Sequence, residues 1–155
     1  IYEVGDADEA KELAKLGVDH IGVLVGKGNY PRELNYEKAK KIYSVVLEAQ
    51  RRGIETVRAG KRCGEVDSVA RVFIGKNGYG EYFGHSLGHG LGLEIHEMPK
   101  ISRFNYEPLK VGNVITIEPG IYIPGYGGVR IEDDVVVGDK ECTILTNSPK
   151  ELICV

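Results

Sequence analysis

Two stretches of the chain decide its fold: GHSLGHGLGLEIHEMP at residues 84–99 and VITIEPGIYIPGYGGVRIEDDVVV at residues 114–137. Both place histidines or glutamates among apolar side chains and glycines. Because an unpaired charge is costly to bury, such groups usually bind a metal ion or one another. These two stretches therefore indicate a site with a defined chemistry inside a folded domain.

The second stretch reads as two strands joined by the turn sequence PGYGG, which predicts a β-hairpin. If the turn centres on Tyr126, then Gly120 lies opposite Glu132, and Glu118 lies two residues along on the same face. Diagonal neighbours of this kind are about 7–8 Å apart between Cα atoms, close enough for both carboxylates to bind one cation. A solvated sheet face explains the pattern equally well, so the hairpin alone leaves both interpretations open.

Three of the four histidines, His85, His89 and His96, lie within twelve residues. A lone histidine is more often a hydrogen-bonded structural residue, but three of them beside two strand carboxylates favour a metal site. A mixed set of imidazole and carboxylate ligands suits Mn, Co, Fe or Zn. The residues therefore indicate a divalent metal without identifying it.

The composition restricts the classes of function. The chain has 155 residues, of which 42% are hydrophobic and 28% charged, as expected of one globular domain. Its net charge of −3 gives no indication of a nucleic-acid or membrane partner. No apolar run approaches the roughly 20 residues of a membrane span, and no signal-peptide pattern stands out. We expect a cytoplasmic protein with reduced cysteines at Cys63, Cys142 and Cys154.

Apolar spacing, capping residues and turn residues predict the remaining elements. A strand–helix–strand unit opens the chain, two amphipathic helices follow, and glycine-rich strands and turns occupy the rest. The predicted elements are a strand over 1–4, a helix over 9–16, a strand over 20–25, a helix from the N-cap Asn35 to about 58, a helix over 65–76, and strands over 113–123, 129–137, 142–145 and 152–155.

Residues from about 40 to 155 resemble the C-terminal catalytic domain of Xaa-Pro dipeptidases, or prolidases. These enzymes belong to the pita-bread metallopeptidases, as do the methionine aminopeptidases. The resemblance rests on the long motifs HSLGHGLGLEIHEMP, ITIEPGIY and GGVRIEDDVVV. It implies a curved antiparallel sheet covered by helices, and a reaction in which metal ions act as Lewis acids and supply the nucleophile.

The resemblance also implies roles for single residues. His89 and Glu118 match metal ligands of the family, and Glu132 matches a ligand that bridges two metals. The residues implied to act on the substrate side are His96, which contacts substrate, His85, which lines the same pocket, and Arg130, which positions the bridging carboxylate or the peptide carboxylate.

One part of the family pattern is missing. The family supplies two aspartate ligands, one of them bridging, from a motif such as DxGxxxxGYxSDxTRT before the long helix, and nothing in residues 1–41 matches it. Without them we expect no dinuclear centre. His89, Glu118 and Glu132 are then expected to hold one divalent metal weakly, or none.

Residues 1–43 resemble instead the first βαβα of a (β/α)8 barrel such as phosphoribosylanthranilate isomerase. The catalytic cysteine of that enzyme falls near Val4 and is absent, as are the loops that bind phosphate. We therefore interpret the chain as a chimera, engineered or recombinant. The fold we expect is one mixed α/β domain over 1–155, with the barrel-like segment packed on a truncated pita-bread antiparallel sheet over 40–155.

Three functions follow from this interpretation. The first is a folded protein with a residual metal site and no efficient peptidase activity. The second is a working metallo-dipeptidase for Xaa-Pro peptides, its site completed by other acids or by a partner subunit. The third is a binding module for a phosphorylated small molecule. Because the barrel-like segment is expected to cover an open sheet edge, a poor fit there predicts a homodimer formed by strand exchange.

Overall fold

The computed structural model describes residues 36–150 and residue 152. The strand–helix–strand unit predicted within residues 1–35 lies outside the described residues, so the barrel-like segment and its packing on the sheet remain predictions. Of the strand predicted over 152–155, Leu152 alone is described, and it does not belong to a strand.

Two helices form where the sequence predicts them. Helix α1 (Tyr36–Thr56) ends two residues earlier than expected, and helix α2 (Cys63–Lys76), which packs against it, begins two residues earlier. In the described part of the chain, neither helix is long and apolar enough to cross a membrane. The apolar face of α1, spaced by three and four residues, buries Ala39, Ile42, Val46 and Ala49.

The early start of α2 has a local cause, which is a hydrogen bond made by Glu65 in the first turn of the helix. Its carboxylate accepts a hydrogen bond from the backbone N–H of Arg62 at 2.9 Å. This satisfies one of the N–H groups that a helix leaves unpaired at its N-terminus. The same bond holds the pKa of Glu65 below its usual value of 4.5.

This lowered pKa predicts a pH-dependent contribution of Glu65 to stability. The contribution is present above pH 4.5, the usual pKa, and is lost as the pH falls through the lowered pKa of the folded state. We expect Glu65→Gln to keep the hydrogen bond but to show a smaller drop in Tm between pH 7 and pH 3 than the wild type. Identical pH profiles of Tm for the two proteins would contradict this role.

The described residues form seven strands. Five make one sheet in the order β2-β1-β3-β6-β7, and β4 and β5 make a separate hairpin. All neighbouring pairs are antiparallel, which confirms the mixed α/β class with an antiparallel sheet. The strands are β1 (Gly88–Gly90), β2 (Glu97–Ile101), β3 (Val114–Ile117), β4 (Gly120–Ile123), β5 (Gly127–Arg130), β6 (Asp133–Val137) and β7 (Cys142–Ile144).

The long hairpin predicted from 113–123 and 129–137 is wrong in one respect, because each strand is divided in two. Strand β3 pairs with β6, and β4 pairs with β5, in different sheets. The first division falls at Glu118 and Pro119. Proline has no backbone N–H to donate, so it cannot continue a ladder of hydrogen bonds.

The predicted register of the hairpin is also wrong, by two residues. The turn centres on Gly125, whose φ of +78° favours glycine, and not on Tyr126. Gly120 is therefore paired with Arg130, and not with Glu132 as expected. The register depends on this single turn residue, which the sequence PGYGG leaves ambiguous because it contains three glycines.

The corrected register changes the relation between the two glutamates. The last pair between β3 and β6, next to the division, is Ile117 with Asp133. Glu118 follows Ile117 and Glu132 precedes Asp133, so the two glutamates face each other where the ladder is interrupted. They were expected to lie on a diagonal. Both carboxylates are thus brought to one place by the division that separates the two sheets.

Strand β7 is the last strand at one side of the five-stranded sheet, within the part of the chain that the structure describes. Ile144 at its end and Leu145 beyond it are 47% and 48% exposed. A groove of about 680 Å³ separates α1 from the segment that follows β7. The expectation that residues 1–43 cover an open edge of the sheet remains a prediction.

Candidate functional site

His89 and Glu118 are in direct contact. His89 lies on β1 and Glu118 directly follows β3, and His89 Nε2 is 3.1 Å from Glu118 Oε1. The Thr116 hydroxyl joins the two residues, because it accepts a hydrogen bond from the His89 N–H at 3.1 Å and donates one to Glu118 Oε1 at 3.0 Å. The pairing of β1 with β3 therefore positions both side chains.

The hydrogen bonding of His89 determines what can lie between it and Glu118. His89 Nδ1 is 2.9 Å from the carbonyl oxygen of Gly90, and because a carbonyl can only accept, Nδ1 carries a proton. In the neutral ring Nε2 is then an acceptor that faces a carboxylate oxygen. Two acceptors at this distance need a proton or a cation between them. The geometry of the pair therefore suits a proton or a cation between the two atoms.

Arg130 lies beside both glutamates. Its Nε is 3.7 Å from Glu118 Oε2 and 3.6 Å from Glu132 Oε2, distances that make ion pairs but not hydrogen bonds. Burial raises the pKa of Glu132, the charge of Glu118 raises it further, and Arg130 opposes the rise. One guanidinium thus compensates two carboxylates, and with both ionised the group favours a further cation.

His85 lies between two aromatic rings. Its Nδ1 is 2.8 Å from the carbonyl oxygen of Ser86, while its Nε2 is buried without a hydrogen-bond partner. The rings of Phe83 and Tyr122 meet it edge-on, with centroids 5.0 and 5.5 Å away. The Tyr122 hydroxyl interacts with the Arg130 side chain, and burial raises the pKa of this phenol. Tyr122 therefore connects His85 to Arg130, and through Arg130 to the two glutamates.

His96 lies at the exposed side of the site. It ends the loop between β1 and β2 and is exposed, and its ring centroid is 4.2 Å from that of His89. All six residues predicted from the sequence are thus connected by contacts, directly or through Tyr122. They are His85, His89, His96, Glu118, Arg130 and Glu132.

The sequence profile of metallopeptidase family M24 matches residues 23–139. The chain belongs to this family. The Xaa-Pro dipeptidase of Pyrococcus furiosus is 55% identical over 131 residues, which are 84% of this M24 chain and 36% of the relative. The matched range begins inside the segment that resembles a barrel, so the two resemblances overlap over residues 23–43.

Solved structures agree with this M24 assignment. An Xaa-Pro dipeptidase from Bacillus anthracis is 50% identical, with a TM-score of 0.76. The match covers 84% of this chain and 35% of the dipeptidase. An X-Pro aminopeptidase from Thermotoga maritima is 47% identical, with the same TM-score and the same coverage. The M24 chain therefore spans about a third of the length of the relatives that it matches.

A metallopeptidase family implies a divalent metal, and the described residues of this M24 chain fit one only in part. The acceptor geometry of His89 and Glu118 suits a cation. Within residues 36–150 and 152, however, no group of three or more histidine, cysteine, aspartate or glutamate side chains is arranged to hold a metal ion. The third donor, Glu132, has the guanidinium of Arg130 beside it, with Nε 3.6 Å from Oε2.

Two residues of the site were not predicted. Thr116 links His89 to Glu118, and Tyr122 links His85 to Arg130. Both could have been found from strand alternation, because 116, 118, 120 and 122 are spaced by two and so share a face in an extended strand. A threonine in an otherwise apolar strand, two residues before a glutamate, is the clearer of the two signals.

Proposed function

We propose that this chain carries the histidine and glutamate part of an Xaa-Pro dipeptidase centre, that it holds at most one divalent metal weakly, and that it lacks efficient peptidase activity. The observation that carries the proposal is the contact of His89 Nε2 with Glu118 Oε1 at 3.1 Å. The absence of the aspartate motif from residues 1–41 supports the loss of activity. We further propose that the chain is a chimera, with the barrel-like segment as its first part.

The proposed ligands are His89, Glu118 and Glu132. A divalent metal bound there would supply a Lewis acid. The protein's own contribution is orientation, because Thr116 holds Glu118 and the backbone of His89 in one geometry. Arg130 limits the repulsion between the two carboxylates while the site is free of metal.

The substrate side of the proposal rests on two buried atoms. Among the described residues, His85 Nε2 and Arg130 Nε are buried side-chain atoms without a hydrogen-bond partner. One is a spare acceptor and the other a spare donor. A dipeptide offers an amino group and a carboxylate, which complement them. This pairing supports the second candidate function, an active metallo-dipeptidase whose site is completed by other acids or by a second subunit.

Metal stoichiometry tests the first proposal. After exposure to excess Mn, Co or Zn and desalting, we expect at most one metal per chain, lost in His89→Ala and retained in Asp139→Ala, a change on an exposed turn. His89 is the only imidazole among the three proposed ligands, so the loss should be nearly complete. Two metals per chain, or a bound metal that His89→Ala retains, would refute the proposal.

Peptidase assays separate the two candidates. With Mn or Co supplied to folded protein, we expect no cleavage of an Xaa-Pro dipeptide above the blank. Metal-dependent cleavage that His89→Ala abolishes would establish the dipeptidase instead. The mass of the protein in solution then distinguishes the two ways of completing the site, since a partner subunit requires a dimer.

A further inference from the structure

Helix α2 carries an ion pair between a buried aspartate and a partly buried arginine. Asp67 is fully buried, and Arg71 lies one turn further along the helix. Arg71 Nε donates to Asp67 Oδ2 at 2.7 Å, and Arg71 Nη2 donates to Oδ1 at 2.8 Å. Such a two-pronged pair fixes the planes of both groups relative to each other. The orientation of the Arg71 guanidinium is therefore fixed by Asp67, on the same helix.

The remaining hydrogen bonds of this pair all go to the segment that precedes β1. Arg71 donates to the carbonyl oxygens of Phe83 at 2.9 Å and of His85 at 2.7 Å. Asp67 Oδ1 accepts from the N–H of Leu87 at 3.0 Å. Three alternate residues of one segment are thus bound to a single ion pair, and the guanidinium also stacks on the Phe83 ring, 4.2 Å from its centroid.

Leu87 continues this connection to the candidate metal ligands. Its N–H donates to Asp67, and its carbonyl oxygen accepts from the N–H of Glu118 at 2.8 Å. A hydrogen-bonded chain therefore runs from Asp67 through the backbone of Leu87 to Glu118. His89 is two residues beyond Leu87. The ring of Phe83, held by Arg71, in turn lies edge-on to His85.

We propose that Asp67 and Arg71 are positioning residues that set the orientation of His85 and the contact between His89 and Glu118. The inference rests on the proposed function only in assigning those three residues to the site. Arg71 contacts a site residue only at the backbone carbonyl oxygen of His85.

NMR spectroscopy of the full, metal-free chain tests the proposal through Arg71→Lys, which keeps the charge and removes the two-pronged geometry. We expect the ring signals of His85 and His89 to shift, and the amide exchange of Leu87 and Glu118 to accelerate about tenfold or more, as in a local opening. Amides in the centre of α1 should be unaffected. His85→Gln and His89→Gln assign the ring signals.

Arg52→Lys is the matched control. Arg52 also stacks on an aromatic ring, 4.2 Å from the centroid of Phe73, and pairs with an acid on its own helix, but it has no link to the segment before β1. We expect it to change neither the histidine signals nor the exchange of Leu87.

A second variant covers the case in which Arg71→Lys does not fold. Asp67→Asn retains an oxygen that can accept from Leu87, so we expect Leu87 to stay more protected than in Asp67→Ala while the His85 signals still shift. Unchanged histidine signals in a folded variant, or exchange accelerated equally throughout the core, would overturn the proposal. A chain that binds two metals, or that cleaves Xaa-Pro dipeptides, and still shows these local changes would refute the proposed function and leave the positioning role intact.

Discussion

Replacement of Gly88 by alanine is expected to destabilise the fold by about 3 kcal/mol, the upper part of the range for overpacking. A Cβ atom at this position would lie 1.9 Å from the carbonyl oxygen of Thr116 and 2.7 Å from its carbonyl carbon. These are backbone atoms of β3, so they cannot rotate away as a side chain would. Strands β1 and β3 would have to separate, and the bond from His89 to Thr116 would be lost with them. The midpoint of urea unfolding measures the effect.

Gly75→Ala is the control for this substitution. Gly75 lies in the last turn of α2, and nothing lies within 4 Å of the Cβ position. Alanine has a higher helix propensity than glycine, so the change should leave stability unaltered or raise it by up to about 1 kcal/mol. Similar unfolding midpoints for the two variants would show that β1 and β3 do not approach as closely as described.

Asp133→Ala is expected to cost about 3 kcal/mol, as is typical when one partner of a buried ion pair is removed. Asp133 is 2% exposed and forms an ion pair with Lys150 at 2.7 Å. It also accepts hydrogen bonds from Gln50 on α1 and from Thr146. Its loss leaves the buried amide of Gln50 without this partner and frees the segment after β7. We therefore also expect faster amide exchange over residues 146–150.

An exposed acid nearby provides the comparison. Asp139 lies on the turn between β6 and β7, and Asp139→Ala should change the free energy of unfolding by less than about 0.5 kcal/mol. Equal effects of the two substitutions would mean that Asp133 is not the buried connection between the helix, the sheet and the segment after β7.

The corrected register bears directly on the proposed metal site. Had the turn centred on Tyr126, Glu118 and Glu132 would have been diagonal neighbours. They instead face each other, with Arg130 within 4 Å of both. A cation that bridged the two carboxylates would therefore have to compete with this guanidinium. This competition is a second reason, besides the missing aspartate motif, to expect weak metal binding by the chain as it stands.

The sequence by itself determined the two described helices and the family. The apolar residues of α1 recur every three or four positions, a local pattern that predicts both the helix and its buried face. The motifs around His89, Glu118 and Glu132 pointed to the prolidase relatives that the comparisons also found. These features could be predicted because each depends on neighbours along the chain.

Only the tertiary structure decided how the site is held together. Glu118 and Glu132 face each other because of one turn glycine and the interruption at Pro119. Sequence alternation could not reveal this, because a register shift of two residues leaves every side chain on the same face. The link from Asp67 to Glu118 joins positions far apart in the chain through the backbone of Leu87. Strand register and buried hydrogen-bond partners depend on non-local packing, which no periodicity in a single sequence encodes.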